Sequence, residues 1–63
     1  MKSPTPDEIF GLRFNSRLTQ REFGALIHCA ARTVQDWESG RRKMHPAFFE
    51  LLKIRVSELE AKK

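Results

Sequence analysis

The sequence predicts an all-α fold, and three observations predict it. Apolar residues recur at helical spacing along most of the 63-residue chain. Capping signals open the apolar runs, with Thr5 and Glu8 ahead of one and Thr19 and Glu22 ahead of another. Strand signals are missing: there is no sustained alternation of apolar and polar residues and no hairpin dipeptide.

Each helix can be placed in turn. Thr5, Pro6 and Glu8 make a capping box with proline at the first helical position, so a first helix runs from about Pro6 to Phe14 and ends at Asn15 and Ser16. Thr19 with Glu22 opens a second, from about Gln20 to Ile27. A tight turn around His28 and Cys29 then leads into a third, from about Ala31 to Glu38, which Gly40 closes. A basic loop follows, and Pro46 starts a long last helix over about 46–61, through Phe48, Leu52, Val56 and Leu59. The second and third helices and their turn form a helix-turn-helix.

The apolar spacing assigns sides to these helices. Phe23, Leu26 and Ile27 precede the turn at helical spacing, and Val34 and Trp37 follow it three apart. Two steeply crossed helices bring Phe23, Ile27, Val34 and Trp37 together inside, with Gly24 leaving room for close approach. Ala31, Arg32, Gln35 and Asp36 are left on the outer side of the third helix. On the last helix, Phe48, Leu51 and Leu52 are expected to close the core. Phe49, Ile54, Val56 and Leu59 then exceed what one small domain buries, as do Phe10 and Phe14 on the first helix. Several apolar residues on one helix suggest an interface, here with a second copy of the chain.

Composition bounds the rest. A single domain over 1–63 is expected, near the lower size limit for folding without staples, and one cysteine cannot form an internal disulfide. Twelve Lys and Arg against eight Asp and Glu give a formal charge of +4, which favours a polyanionic partner. Arg41, Arg42 and Lys43 form a run after the third helix, Arg17, Arg21 and Arg32 can join it on one side, and Lys62 and Lys63 read as a solvated tail. No signal peptide or bilayer-length apolar run is seen, so the cytoplasm is the expected compartment.

Chemistry finds little support. His28, Cys29 and His45 fit no zinc template, and Asp7, Glu8 and Glu22 have capping or helix-dipole roles. No catalytic constellation is present in the pattern. A non-enzyme without metal or cofactor is expected.

At Arg13, Leu18-Thr19-Gln20, Thr33-Val34-Gln35-Asp36-Trp37-Glu38 and Gly40-Arg41-Arg42, the chain resembles the Cro/repressor-like (XRE-type) helix-turn-helix family of DNA-binding domains. The resemblance covers about Pro6 to Leu52 and is greatest to short regulators of phages, mobile elements and toxin–antitoxin operons. It implies a compact four- to five-helix lambda-repressor-like domain with a long C-terminal helix. The family pattern is broken at two places: His28 stands where the turn usually has glycine, and Ala30 where the third helix usually has a Ser or Thr cap.

The resemblance implies roles for particular residues. Ala31, Arg32, Gln35 and Asp36 would enter the major groove: Arg32 can pair with guanine, Gln35 with adenine, Asp36 can accept from cytosine, and Ala31 can meet a thymine methyl. Arg32 and Asp36 four apart equally make a surface ion pair. Arg17, Thr19, Gln20, Thr33, Arg41, Arg42 and Lys43 would bind phosphates, although Gln20 also reads as an exposed neighbour of the Thr19 cap. Arg13 and Glu38 would form a structural ion pair tying the first helix to the end of the third. Phe49, Ile54, Val56 and Leu59 would make a homodimer on a palindromic double-stranded DNA operator, blocking transcription and regulating the chain's own operon. A protein-interaction module binding a partner such as a toxin through the last helix, and a nonspecific nucleic-acid binder acting by charge, stay open.

Overall fold

A computed structural model describes residues 2–61; the Lys62–Lys63 tail lies outside the described residues. The chain is all-α, with α1 over Pro6–Asn15, α2 over Gln20–Ala25, α3 over Ala31–Ser39 and α4 over Pro46–Ala61. Among the described residues there is no strand. No helix there is long and apolar enough to cross a membrane.

The two capping boxes form as the sequence predicts. Thr5 Oγ1 accepts from the Glu8 N–H at 3.1 Å, and Glu8 Oε1 accepts from the Thr5 N–H at 2.8 Å. Thr19 and Glu22 repeat the arrangement at 3.1 and 2.9 Å. The hydrogen bond from the Thr19 N–H, and then that with its side chain, hold the Glu22 carboxyl below the usual carboxylate range. A lowered acid contributes stability above its unfolded-state pKa and loses it as pH falls through the folded value, so this cap is complete at neutral pH.

His28 and Ala30 both stand at helix ends. After α1 the Arg17 N–H donates to Phe14 O at 3.0 Å and the Leu18 N–H to Arg13 O at 3.3 Å; after α2 the His28 N–H donates to Ala25 O at 3.3 Å and the Cys29 N–H to Gly24 O at 2.8 Å. Both closures are of the Schellman type, which needs a left-handed residue, and Arg17 and His28 supply it at φ 60°. Only α3 ends with glycine there, Gly40 at φ 81°. Ala30 stands at the N-cap of α3 with suitable extended backbone (φ −72°, ψ 156°) and no side-chain hydrogen bond. His28→Gly and Ala30→Ser are each expected to stabilise the domain by about 1 kcal/mol. That corresponds to a rise of roughly 4–8 °C per substitution in thermal melts.

Ile9, Phe23, Val34, Trp37, Met44, Leu52 and Val56 form the buried core, with Leu12, Leu18, Leu26, Ile27, Cys29 and Phe49 packed against it. Phe23, Val34 and Trp37 are therefore where the sequence places them, and Ile27 lies at the core's margin. The expected inward face of α4 needs correction. Leu52 is buried as expected, but Phe48 and Leu51 are 45% and 36% exposed, and the helix turns Phe49 and Val56 inward in their place. α3 packs against both α2 and α1, so its outward side is backed by two helices.

Candidate nucleic-acid interface

The outward side of α3 is polar, and its residues converge. With Val34 and Trp37 buried, Arg32 and Gln35 are exposed and Ala31, Thr33 and Asp36 half-buried. Arg32, Gln35 and Asp36 border one open depression together with Ser39 and Arg41. Arg32 Nε lies 3.4 Å from Asp36 Oδ1, but the Arg32 side chain is 70% exposed, so this ion pair contributes only about 0.3–0.5 kcal/mol and leaves the guanidinium free to turn outward. Ser39 is a member the sequence reading missed; its spacing of four from Gln35 was the available signal. Its Oγ donates to Asp36 O at 3.2 Å.

A fork of charged hydrogen bonds fixes α3 against α1. Arg13 donates from Nε to Glu38 Oε2 at 2.6 Å, from Nη2 to Glu38 Oε1 at 3.0 Å and from Nη1 to Leu18 O at 3.0 Å. The two side chains are 15% and 9% exposed. The Glu38 hydrogen bonds push the Arg13 guanidinium above its ordinary pKa, against the opposing effect of burial, so it stays charged throughout the accessible pH range. Gln20 joins the cluster, its Nε2 donating to Glu38 Oε1 at 3.2 Å. The amide expected at a phosphate is thus held by the ion pair, with a second N–H left to donate. The Thr19 hydroxyl is engaged in the cap, accepting from the Glu22 N–H at 3.1 Å.

The basic run divides. Arg41 borders the α3 depression, whereas Arg42 and Lys43 border a separate groove beside the N-terminal segment. The left-handed Gly40 and a hydrogen bond from the Arg42 N–H to Asp36 O, 3.2 Å, turn the chain between them. Among the described residues, carboxylates pair with Arg13, Arg32, Lys53 and Arg55, and Arg17, Arg21, Arg41, Arg42 and Lys43 form no such pair.

The surface assigned to a second copy is not continuous. Val56 is 4% exposed within the chain's own core and presents no surface to a partner, while Phe49 is half-buried, packs on that core and carries Lys53 Nζ 4.9 Å over its ring. Ile54 and Leu59 are exposed but lie about 140° apart around the helix. Ile54 sits among Glu50, Lys53 and Glu58, while Leu59 borders a hollow with Ser16 and Leu18. A further exposed apolar pair lies on α1, where Phe10 and Phe14 stack at 5.5 Å and are 45% and 65% exposed. Cys29 packs against the core, and His45 Nδ1 accepts from the Ala47 N–H at 3.0 Å, capping α4.

Fold and site together define a small all-α domain whose helix-turn-helix presents a polar, positively flanked outer face. No protein-family model matches the chain. It is 36% identical over 64 aligned positions to a type II methyltransferase, M.MspI, of a Moraxella species, an alignment taking in 92% of this chain and 15% of that protein. It is 34% identical over 50 positions to antitoxin HigA-2 of Vibrio cholerae serotype O1, taking in 79% of this chain and 48% of that one. The chain thus spans under half the length of either curated relative.

Proposed function

We propose that the chain is a sequence-specific, duplex-DNA-binding regulator that acts as a repressor by occupying an operator. The observation that carries this reading is the convergence of Arg32, Gln35, Asp36 and Arg41 around one open face of α3, whose other face is locked into the core. An exposed helix of this kind fits the major groove, with Arg32 and Gln35 carrying the donors that read guanine and adenine. Arg17, Arg21, Arg42 and Lys43, unpaired with described carboxylates, supply phosphate contacts. Ala31, Thr19, Gln20 and Thr33 complete the proposed contact set at its edges.

One copy presents one α3, and the chain's longest dimension is 33 Å. A pair of copies whose α3 helices lie about 34 Å apart would read two half-sites, which makes the operator an imperfect palindrome. The exposed Phe10–Phe14 pair and Ile54 and Leu59 offer apolar surface for that pairing. A second reading is favoured by the similarity to an antitoxin: a toxin-like protein partner binds the same chain, and DNA occupancy regulates their operon. Similarity to the methyltransferase covers 15% of that protein and carries no methyl-transfer chemistry to this chain.

Selection of bound sites from random duplexes at fixed salt tests the reading, and a palindromic winner is expected. On that site, Arg32→Ala should weaken binding by about 1–3 kcal/mol and relax preference at one base pair, whereas Arg42→Ala should weaken all sequences alike. Unchanged operator affinity in Arg32→Ala would show that α3 does not read the bases.

A further inference from the structure

A groove runs beside the N-terminal segment. Lys2, Pro4, Pro6, Trp37, Arg42 and Lys43 lie along it, and it encloses about 400 Å³. Three of these six side chains are cationic, and no carboxylate borders the groove. The hollow on the opposite side of the same segment differs, since Glu8 and Glu50 lie along it with Lys2 and Lys53. An anion therefore has one favourable side of the segment to occupy.

The Thr5–Glu8 capping box fixes how the segment enters α1, and Pro4 and Pro6 restrict its backbone, so the segment that carries Lys2 is directed along the groove. On the other wall, the Arg42 N–H is bonded to Asp36 O, and the fully buried Met44 anchors the loop beyond Lys43. Arg41, one residue before Arg42, borders the α3 face, so the groove opens next to the surface proposed to lie on DNA.

We infer that this groove seats a phosphodiester of the duplex backbone flanking the α3 footprint, and that Lys2 is a DNA-contacting residue alongside Arg42 and Lys43. The inference rests on the proposed DNA-binding reading. It extends the interface from the helix-turn-helix to the N-terminal arm. The contact is electrostatic and carries no sequence information.

The test is duplex affinity as a function of salt for the full chain and for Lys2→Ala, Lys2→Arg and Arg42→Ala, on the selected site and on an unrelated duplex. Each phosphate neutralised contributes about 0.9 to the slope of log affinity against log salt. Lys2→Ala should lower that slope by about 0.9 on both duplexes, so its affinity deficit shrinks roughly 3.5-fold between 50 and 200 mM salt. Lys2→Arg should restore it. A slope changed by Arg42→Ala but not by Lys2→Ala overturns the Lys2 assignment while leaving the DNA-binding reading intact. A wild-type chain that binds no duplex overturns both. Trp37, the sole tryptophan, borders the groove and reports on the competing occupant. If inorganic phosphate alone shifts its fluorescence, the shift is absent in Lys2→Ala, and the DNA slopes are equal, the groove takes a free anion and not the duplex backbone.

Discussion

Gly24→Ala is expected to cost the domain about 3 kcal/mol, read as a fall in the urea midpoint with little change in slope. A methyl at this position would lie 2.4 Å from Cys29 O, 3.2 Å from Cys29 C and 3.1 Å from Val34 Cγ2. The nearest atom is backbone and cannot rotate aside. That same Cys29 residue donates its N–H to Gly24 O at 2.8 Å, so relieving the clash means opening the closure of α2. Alanine returns up to about 1 kcal/mol of helix propensity, which the clash exceeds. Against the roughly 3–9 kcal/mol available to a domain of this length, the loss is large. A midpoint within error of wild type would show that α2 and α3 have space between them that the structure denies. Glycine here serves the crossing of two helices, while the left-handed position four residues on carries His28.

How much of this was legible in the sequence depended on whether a feature was local. The starts of α1 and α2 were, because a capping box is complete within four residues, and so was the end of α3 at Gly40. Phe23, Val34 and Trp37 were legible as core because they fall at helical spacing on either side of the turn, with only Gln35 and Asp36 between the last two. Met44 was not: one apolar residue in a basic loop has no periodicity, and its complete burial follows from where the loop crosses the core. Nor was the inward face of α4. Phe48, Phe49, Leu51, Leu52, Ile54, Val56 and Leu59 surround much of that helix, so spacing alone does not choose a side. Packing against the rest of the core chose Phe49, Leu52 and Val56.

The candidate site shows the same division. Arg32, Gln35 and Asp36 share a face by spacing, and they do converge. The separation of Arg41 from Arg42 and Lys43 depends on the left-handed turn at Gly40 and the bond to Asp36 O, which consecutive basic residues do not announce. The proximity of Lys2 to that loop joins residues some forty positions apart, beyond any local pattern.

Arg13→Ala is expected to destabilise the domain by about 3 kcal/mol, because it removes one partner of a largely buried pair. The substitution deletes both hydrogen bonds to Glu38 and the one to Leu18 O, leaving a 9% exposed carboxylate with Gln20 as its remaining side-chain partner. Arg13→Lys should rescue little, since a single ammonium cannot fork to two carboxylate oxygens and a backbone carbonyl in this geometry. Arg13→Met with Glu38→Leu should come within about 1 kcal/mol of wild type, because both desolvated charges go together. The double variant separates stability from function. Leu18 adjoins the Thr19 cap and Gln20 is oriented by Glu38, so the pair sets the start of α2 relative to the end of α3. Folded to the wild-type extent but lacking that alignment, it should bind all duplexes several-fold more weakly while keeping its base preference. Unimpaired binding by the double variant would confine Arg13 and Glu38 to stability and release Gln20 to act independently of them.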